Sequence, residues 1–362
     1  MPIGILIVDD SAIYRKILSD VAASLPRVGA VKAVSSGRLA LTELSQNHYA
    51  LVLLDHQMPE MDGLETLTRI RQDSHDVAVV MVSAATDKGS VTAIKALNLG
   101  ALEVIAKPQG KNAQENFKQL QKELSPVIEM VEDLQDRGVG RAPAAAFRAP
   151  TSQRLTRASV HTHIRPAGFA ILAIGSSTGG PQALSHIIPR LPEDFPLPVA
   201  IVQHMPPIFT NALAKDLDRK SSLHVKEAVS GDRVVPGTVL IAPGGIHIVI
   251  RNGTNGNQIT RFDNGPPENS CKPSVDVLFR SIAIAYRSKN VLSVILTGMG
   301  ADGMRGVQQL KENNCYCITQ AANTCVVYGM PQAVDKAALS DESLTLENLA
   351  ARIIRLAGRG GR

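Results

Sequence analysis

Tryptophan is absent from the sequence, and all aromatic side chains together make up only 3% of its 362 residues. The hydrophobic cores must therefore be aliphatic, and the aromatic platforms on which proteins stack nucleic-acid bases are scarce. Long apolar runs are missing too, since none approaches the roughly 20 residues of a membrane-spanning helix. The chain starts without a basic leader and reaches Asp9 and Asp10 after one short apolar run, so we expect no signal peptide and no transmembrane segment.

Cysteine is scarce, and its spacing argues against the usual cysteine-based frameworks. The four cysteines include no C-x-x-C pair; they are Cys271, Cys315, Cys317 and Cys325. This spacing indicates neither a zinc site nor a disulfide framework. We interpret these residues as buried, reduced thiols of a cytoplasmic protein.

The net charge of +5 is concentrated in one stretch of the chain. Six arginines and no acidic residue lie between Arg137 and Arg165, and these six exceed the net charge of the whole chain. The same stretch is rich in alanine, proline, serine and threonine, which is the composition of a solvated linker. Because the sequence also lacks a helix-turn-helix pattern, we expect no nucleic-acid partner.

Apolar runs alternate with amphipathic stretches on both sides of this linker. The predicted strands are 3–8, 51–54, 77–82 and 102–106 before the linker and 169–174, 198–203, 238–242, 247–251, 291–296 and 315–319 after it. The predicted helices are 12–24, 64–72 and 116–135, the last interrupted near Pro126, and then 182–191, 208–218, 275–286, 303–312 and 346–356. This alternation predicts an α/β protein with two doubly wound parallel-sheet domains.

Polar side chains follow the predicted strands of the first domain, at the sheet edge where open parallel sheets form their sites. Asp9, Asp10 and Asp55 gather three carboxylates there. Their mutual repulsion is relieved by a divalent cation that prefers oxygen ligands, most simply Mg2+. Ser83 and Lys107 follow two further strands, and a hydroxyl beside an ammonium suits the negative charge of a phosphoryl group.

With these residues, the chain up to Pro108 resembles the receiver domain of response regulators. The matching motifs are V-D-D-S (8–11), L-D-H-Q-M-P-E-M-D-G (54–63), V-S-A (82–84) and A-K-P (106–108). The resemblance implies that Asp55 accepts a phosphoryl group from a histidine kinase and that Asp9 and Asp10 hold Mg2+ with it. It also implies that Ser83 and Lys107 contact the phosphoryl oxygens. The sequence departs from this family at Val104, where receivers usually carry an aromatic switch residue.

A glycine-rich turn, G-S-S-T-G-G at 175–180, follows the first predicted strand after the linker. Such a turn either cradles a phosphate on backbone N–H groups or presents a serine nucleophile, and these six residues favour neither role. If it presents a nucleophile, the G-x-S-x-G spacing selects Ser177 and leaves Ser176 as a small residue in the turn. A nucleophilic serine further requires a histidine base and an acid that orients the histidine.

Two residues at other strand ends supply that pair. His204 ends one predicted strand, and Asp302 lies in the glycine-rich turn that follows another. His247 is the reserve candidate for the base, Asp276 is a poorer candidate for the acid, and a helix cap is the alternative role for Asp302. The strand-end positions favour a triad of Ser177, His204 and Asp302, in a chain order that differs from that of α/β-hydrolases.

These residues carry a second resemblance, to the catalytic domain of chemotaxis protein-glutamate methylesterases of the CheB type. The motifs are G-S-S-T-G-G (175–180), Q-H-M-P-P (203–207), A-P-G-G-I-H (242–247), K-P-S-V-D-V-L-F (272–279), L-T-G-M-G-A-D-G (296–303) and C-V-V-Y-G-M-P (325–331). The family's triad falls on Ser177, His204 and Asp302. The sequence departs from the family at Cys271, where a basic residue is frequent, and at 320–324, where an acidic one is common.

The two resemblances together imply a function for the whole chain. They imply a phosphorylation-regulated enzyme that hydrolyses glutamate γ-methyl esters on methyl-accepting chemoreceptors and also deamidates receptor glutamines, with a chemotaxis histidine kinase as phosphodonor. Backbone N–H groups at Thr178 and Met299 are the candidates for holding the oxyanion, and the esterase domain would need no cofactor. The implied domains are a flavodoxin-like receiver at 1–122, a helical extension and flexible linker at 123–165, and an α/β esterase domain at 166–358.

The domain order suggests a hypothesis about regulation, in which the unphosphorylated receiver covers the esterase cleft and phosphorylation of Asp55 weakens that packing. The alternative from another functional class is a response regulator without enzymatic activity. Its second domain would bind a phosphorylated ligand at 175–180, or nucleic acid through the arginine-rich stretch. A ligand-binding domain would need neither His204 nor Asp302 at a strand end.

Overall fold

The computed structural model describes residues 2–136, apart from 74, 75, 85, 109 and 111, and residues 168–358, apart from 255. The arginine-rich stretch at 137–165 therefore lies outside the described residues. The chain divides into two compact units, Met1–Phe147 and Arg148–Arg362. None of the helices in the described ranges combines the length and the apolar character needed to span a membrane.

The first unit is a five-stranded parallel sheet with helices between its strands. Its elements are β1 (Ile3–Val8), α1 (Ala12–Ser24), β2 (Val28–Val34), α2 (Gly37–Gln46), β3 (Leu51–Asp55), α3 (Gly63–Gln72), β4 (Ala78–Ser83), α4 (Asp87–Asn98), β5 (Glu103–Ala106) and α5 (Ala113–Asp136). The strand order is β2-β1-β3-β4-β5, with every neighbouring pair parallel. β1, β3 and β4 are almost continuously apolar because helices cover both faces of a parallel sheet. The predicted doubly wound fold is confirmed for this unit.

The prediction of an interruption near Pro126 is wrong, because α5 runs unbroken from Ala113 to Asp136. Its buried side chains continue on both sides of the proline; they include Leu120, Leu124, Val127, Ile128 and Val131. Pro126 itself is exposed. The free energy gained by packing this apolar face therefore exceeds the cost of the backbone hydrogen bond that the proline removes. Residue 122, the proposed end of the receiver, lies within this helix.

The second unit has a seven-stranded sheet and a separate hairpin. Its elements are β6 (Phe169–Ser176), α6 (Gly180–Ile187), β7 (Val199–Gln203), α7 (Pro207–Lys220), β8 (His224–Glu227), β9 (Thr238–Ile241), β10 (His247–Asn252), β11 (Gln258–Asp263), α8 (Val275–Ala285), β12 (Asn290–Ile295), α9 (Met304–Lys311), β13 (Cys315–Gln320), α10 (Met330–Lys336), β14 (Glu342–Leu344) and α11 (Leu346–Ala357). The sheet is parallel throughout, in the order β14-β13-β12-β6-β7-β9-β8. β10 and β11 pair with each other in antiparallel fashion outside it.

The strand order places β6 between β12 and β7, in the middle of the sheet. The chain builds one half of the sheet from β6 towards β8 and the other half from β12 towards β14. This reversal of direction is a topological switch point, where open α/β sheets form their ligand sites. The residues that follow β6, β7 and β12 therefore meet at one edge of the sheet.

Several elements differ from the sequence expectation. The predicted strand at 247–251 belongs to the hairpin and not to the parallel sheet. β2, β8, β11 and β14 were not predicted, and neither were α2, α4 and α10. The helix predicted at 182–191 ends at Ile187, and a 3-10 turn at Ile188–Arg190 completes it.

Candidate functional site

Three carboxylates lie together at the carboxyl edge of the first sheet. Asp9 directly follows β1 and Asp55 closes β3, and these strands are neighbours that pair Val8 with Leu54. One carboxylate oxygen from each of Asp9, Asp10 and Asp55 lies within 4.8 Å of the other two. Asp9 and Asp55 are buried and Asp10 is exposed, so the cluster is open to solvent on one side.

Lys107 supplies the positive charge of this cluster. Its Nζ lies 2.8 Å from Asp9 Oδ2 and 2.8 Å from Asp55 Oδ1, and 4.4 Å from the centre of the Tyr14 ring. Burial disfavours the ammonium, but its hydrogen bonds to the two carboxylates raise the pKa of Lys107 above the ordinary value. Burial also raises the pKa of Asp55, and Lys107 offsets only part of this effect. One ammonium is thus shared between two buried carboxylates.

The donor set of this cluster fits a divalent cation. Asp9 Oδ1 accepts a hydrogen bond from the Ser11 N–H. Asp9 Oδ2 is buried, and its partner among the described residues is the Lys107 ammonium at 2.8 Å. Three carboxylates balanced by one lysine leave excess negative charge, and hard oxygen ligands of this kind suit Mg2+.

Ser83 and Val104 occupy the neighbouring strands. Ser83 ends β4 and is buried, with its Oγ 3.5 Å from the carbonyl oxygens of Ala84 and Gly89. Its carbonyl accepts a hydrogen bond of 2.7 Å from the Lys107 N–H, which ties the two predicted phosphoryl-contacting residues together. Val104 is a buried residue of β5.

In the second unit, the strand that precedes the glycine-rich turn is longer than expected. β6 extends to Ser176, which is buried and donates a hydrogen bond of 2.7 Å to Gln203 Oε1 on β7. The expectation that Ser176 lies in the turn is therefore wrong, because it is the last residue of the strand. Ser177 is the first residue beyond the strand and is half-buried. Gly179, with φ of 77°, reverses the chain into α6 in a conformation that side chains with a Cβ rarely adopt.

Contacts from the end of β7 and from the turn after β12 hold Ser177. Its N–H donates to the Thr297 carbonyl at 3.0 Å, and its carbonyl accepts from Gln203 Nε2 at 2.9 Å. Gly298 approaches so closely that a Cβ there would lie 2.7 Å from Ser177 Cβ. The turn after β12 therefore packs directly against the serine.

His204 reaches the same edge from β7, and its N–H donates to the Ser176 carbonyl at 3.1 Å. Its Nε2 lies 2.8 Å from Asp302 Oδ2 and its Nδ1 lies 3.5 Å from Cys271 Sγ. The carboxylate beside Nε2 places the ring proton on that nitrogen, so Nδ1 is the free lone pair of the neutral imidazole. Within the described residues, no hydrogen bond joins His204 to Ser177 Oγ.

Burial alone would lower the pKa of His204, because it penalises the charged ring. The hydrogen bonds with Asp302 and Cys271 outweigh burial and raise this pKa from the ordinary 6.5 to about 9. The imidazolium is thus the stabilised form of the side chain in the resting protein.

Asp302 is buried and is oriented by the N-terminus of α8. It accepts hydrogen bonds from Ser274 Oγ at 2.8 Å, the Val275 N–H at 2.7 Å and the Asp276 N–H at 3.1 Å. Asn269 Nδ2 adds a fourth, at 3.0 Å. Burial by itself disfavours the carboxylate, but the contact with His204 and these backbone donors keep the pKa of Asp302 below its ordinary value. The carboxylate is therefore ionised and faces the histidine.

The sequence reasoning missed three residues of this site, namely Asn269, Cys271 and Ser274. Asn269 and Cys271 lie on a tight turn in which the N–H of Glu268 and the carbonyl of Cys271 pair at 3.1 Å, and the reverse pair is 2.8 Å. Cys271 is only half-buried, contrary to the expectation of a buried thiol. The departure of Cys271 from the family pattern was the one sequence signal that pointed to it.

Asp276, the poorer candidate for the acid, has a different environment. Its Oδ1 accepts hydrogen bonds from the N–H groups of Gly303 and Gly306, at 3.0 and 2.6 Å, so it binds the start of α9. Asn269 bridges Asp276 to Asp302. Burial, with Asp302 nearby, raises the pKa of Asp276, which suits a supporting position and not an ion pair with the histidine.

Two other histidines of this unit have polar partners of their own. His247 is buried, its Nε2 donates to the Pro266 carbonyl at 2.9 Å, and its Nδ1 accepts from the Ser274 N–H at 3.1 Å. Both ring nitrogens of the reserve candidate are therefore used by backbone groups. His224 is exposed, with Nδ1 3.3 Å from Asp218 Oδ1.

The two oxyanion candidates flank Ser177. Thr178 follows it, and the Thr178 carbonyl accepts a hydrogen bond of 2.9 Å from Thr297 Oγ1. Met299 follows Gly298, which packs on the serine. Gln320 holds the second turn in place, because its Oε1 accepts from the Thr297 N–H at 2.9 Å. An uncharged amide at position 320 thus has a defined structural role.

Both units of the chain are similar to known proteins. Residues 172–353 match the family model of CheB methylesterases, and residues 5–117 match that of response regulator receiver domains. The protein-glutamate methylesterase/protein-glutamine glutaminase of Geobacillus kaustophilus is 42% identical over 358 residues, which cover 98% of this chain and 99% of that protein. The protein of the same name from Trichodesmium erythraeum is 40% identical over 356 residues, with 98% and 99% covered. A solved structure, the Thermotoga maritima CheB methylesterase catalytic domain, is 43% identical and covers 53% of this chain and 100% of its own, with a TM-score of 0.50.

Proposed function

The chain belongs to the CheB methylesterase family, with a response regulator receiver domain ahead of the catalytic domain, and from this we propose that it is a phosphorylation-regulated protein-glutamate methylesterase and protein-glutamine glutaminase. Its substrates are γ-methyl esters and amides on methyl-accepting chemoreceptors, and its phosphodonor is a chemotaxis histidine kinase. We assign the receiver to 1–122, the extension and linker to 123–165 and the esterase domain to 166–358. The enzyme acts in the cytoplasm, where its free thiols stay reduced.

The contact between His204 and Asp302 is the main observation that supports the assignment of the esterase site. A carboxylate 2.8 Å from Nε2 fixes the tautomer in which Nδ1 is the base. Ser177 and His204 come directly after the neighbouring strands β6 and β7, whose last residues Ser176 and Gln203 pair. A serine and a histidine oriented by an acid at one sheet edge form the arrangement that nucleophilic ester hydrolysis requires.

The reaction then follows from these three side chains. Ser177 Oγ attacks the ester carbonyl carbon while its proton passes to His204 Nδ1. The tetrahedral intermediate collapses, and methanol leaves with that proton, so a glutamyl ester of Ser177 remains. Water attacks this acyl-enzyme, His204 takes the water proton and returns it to Ser177, and the glutamate carboxylate is released. Asp302 stays ionised throughout and stabilises the imidazolium.

The oxyanion of each tetrahedral intermediate is held by backbone N–H groups, for which Thr178 and Met299 are the candidates. Both flank Ser177, one along the chain and one across the contact with Gly298. One such donor contributes on the order of 3 kcal/mol where its removal has been measured in a serine protease. No metal is part of this site in our proposal.

In the receiver, Asp55 is the phosphoacceptor, and Ser83 and Lys107 contact the phosphoryl oxygens. Asp9, Asp10 and Asp55 hold Mg2+, which when bound supplies positive charge for the phosphoryl oxygens. The excess of three carboxylates over the single ammonium of Lys107, which is shared between Asp9 and Asp55, supports this assignment. Lys107 already lies 2.8 Å from Asp55 Oδ1 and needs little movement to follow a phosphoryl group on that residue.

Methanol release from methylated chemoreceptor tests the esterase site. Ser177→Ala should reduce the rate to the background set by oxyanion stabilisation and binding, a loss of about 10⁶-fold if the triad acts as a unit. Ser176→Ala is the matched control and should retain activity, because its hydroxyl faces Gln203. Since Nδ1 of His204 faces Cys271, a thiol nucleophile is the rival mechanism. It would be indicated if Cys271→Ser, and not Ser177→Ala, removed the activity.

The proposed regulation by phosphorylation of Asp55 is tested with a small phosphodonor such as acetyl phosphate. Methanol release by the full chain should increase when Mg2+ and the phosphodonor are present together. Asp55→Asn should remove this increase and keep the basal rate, because Asp55 lies in the other unit from Ser177. If the variant kept the full increase, phosphorylation of Asp55 would not be the control step.

A further inference from the structure

The esterase edge of the second unit carries a cluster of three different metal-ligand types that the proposed reaction does not use together. One ligand atom from each of His204, Cys271 and Asp302 lies within 4.8 Å of the other two. Cys271 is 67 residues from His204 along the chain, so the cluster does not form a short metal-binding sequence motif. We propose that His204 Nδ1 and Cys271 Sγ form an inhibitory binding site for a thiophilic divalent cation such as Zn2+, with Asp302 as the partner that orients the histidine.

The first argument is the separation of the two ligand atoms. A tetrahedral zinc ion holds nitrogen at about 2.0 Å and sulfur at about 2.3 Å, so two such ligands lie about 3.5 Å apart. Cys271 Sγ and His204 Nδ1 are 3.5 Å apart in this structure. An ion can therefore bind both atoms with little movement of either side chain.

The second argument is the other nitrogen of the ring. Metal-ligating histidines usually donate their second N–H to a carboxylate or carbonyl, which fixes the tautomer and increases the basicity of the ligating nitrogen. His204 Nε2 has such a partner in Asp302 Oδ2 at 2.8 Å, and Asp302 is held by the N-terminus of α8. The lone pair of Nδ1 is thereby aimed at Cys271.

The third argument is that Cys271 is held in place and remains accessible. It closes the tight turn that begins at Glu268, with backbone hydrogen bonds of 3.1 and 2.8 Å between these two residues. It is half-buried, and the His204 side chain is 12% exposed, so an ion can enter from solvent. The other thiols are poorer ligands, because burial raises the pKa of Cys315 to about 11 and also raises the pKa values of Cys317 and Cys325.

Metal binding breaks the Cys271 S–H bond and forms a metal–sulfur bond, and the released proton goes to solvent. Nδ1 binds through its lone pair, and water fills the remaining positions. The metal and protons therefore compete for the same two atoms. Because the metal takes the lone pair that would accept the Ser177 proton, bound metal blocks ester hydrolysis. The inhibition, although not the binding, rests on the proposed function.

The binding is tested with Co2+ as a spectroscopic probe on the full chain, in excess Mg2+ so that the receiver carboxylates are occupied. We expect a thiolate-to-cobalt charge-transfer band that Zn2+ abolishes by displacement. Cys271→Ser should remove the band and weaken Co2+ binding by more than about 100-fold, the upper limit for loss of an orienting partner alone. Cys325→Ser, the matched control in the same unit, should keep it. A band that survives in Cys271→Ser, or no band in the unaltered protein, would overturn the proposal.

A second measurement needs no variant. Zn2+ should slow alkylation of Cys271 by iodoacetamide in the unaltered protein, read by mass spectrometry of the modified peptide, and a chelator should restore the rate. Unchanged alkylation at saturating Zn2+ would overturn the proposal. Zn2+ should also inhibit methanol release reversibly in the unaltered protein and not in Cys271→Ser. If the protein shows the cobalt band but releases no methanol, the metal site is supported and the proposed function is contradicted.

Discussion

At the residue scale, the chemistry of the second unit depends on His204, whose ring lies between a carboxylate and a thiol. Asp302 holds Nε2 at 2.8 Å and Cys271 lies 3.5 Å from Nδ1. Both contacts favour the charged ring, whereas general-base catalysis needs the neutral one. The site therefore stabilises the imidazolium that forms during the reaction. As a consequence, a smaller fraction of the protein has the neutral, catalytically active His204 at neutral pH.

This balance predicts the pH dependence of methanol release. The His204 pKa is raised from 6.5 to about 9, so the neutral base is a minor species below that pH. We expect kcat/KM to increase about tenfold per pH unit through neutrality and to become level above about pH 9. Cys271→Ser removes a contact that favours the imidazolium, so its profile should become level at lower pH. A wild-type profile that is already level at about pH 6.5 would contradict a raised His204 pKa.

The triad candidates were accessible to sequence reasoning for a physical reason. Ser177, His204 and Asp302 each follow a buried apolar strand, and the carboxyl ends of parallel strands meet at one edge of the sheet. Cys271 and Asn269 come instead from an irregular loop between β11 and α8. A loop has no periodicity from which its direction can be predicted, so their contacts with the site depended on the folded chain.

At the scale of elements, the strands that the sequence predicted are the central ones. β1, β3, β4 and β6 are apolar runs because both faces of a parallel sheet are covered. The missed strands β2, β8 and β14 lie at sheet edges. β2 is mostly apolar in sequence, but a glycine and a lysine interrupt it and none of its residues is buried. β8 and β14 have only four and three residues, which is too short for a recognisable apolar run.

α5 provides a prediction at this scale, because it contains Pro126 in its interior and continues through it. Pro126 is exposed, so Pro126→Ala loses little packing and restores a backbone N–H. We expect the free energy of unfolding of the first unit to increase by about 1 to 3 kcal/mol, which is less than the full cost of an interior proline because proline also restricts the unfolded chain. Urea denaturation followed by circular dichroism measures it.

Glu129→Ala is the control for this prediction, since it replaces another exposed residue of α5 and should change the same free energy by less than about 0.5 kcal/mol. A decrease in stability for Pro126→Ala would show that the proline ring packs favourably or that the restored N–H finds no acceptor.

At the scale of the whole molecule, each unit places its chemistry at the carboxyl edge of its own parallel sheet. The acidic cluster with Lys107 lies after β1, β3 and β5 in the first unit. The contact of His204 with Asp302 lies after β7 and β12 in the second. The same architecture therefore carries a charge-accepting site and a nucleophilic site, and the difference between them comes from the side chains that follow the strands.

Two units with separate cores should respond to ligands separately. We expect calorimetry of the full chain to resolve two unfolding transitions. Mg2+ with beryllium fluoride, a phosphoryl mimic, should stabilise the receiver transition by about 2.7 kcal/mol at 100 times its Kd. Asp9→Asn, which removes a carboxylate of the acidic cluster, should abolish this increase. A fluorophosphonate bound to Ser177 should instead shift the unfolding temperature of the second unit. This shift should be the same in Asp9→Asn and in the unaltered chain. A single unfolding transition whose temperature shifted with both ligands would contradict independent folding. The two units would then unfold as one cooperative body with a shared core.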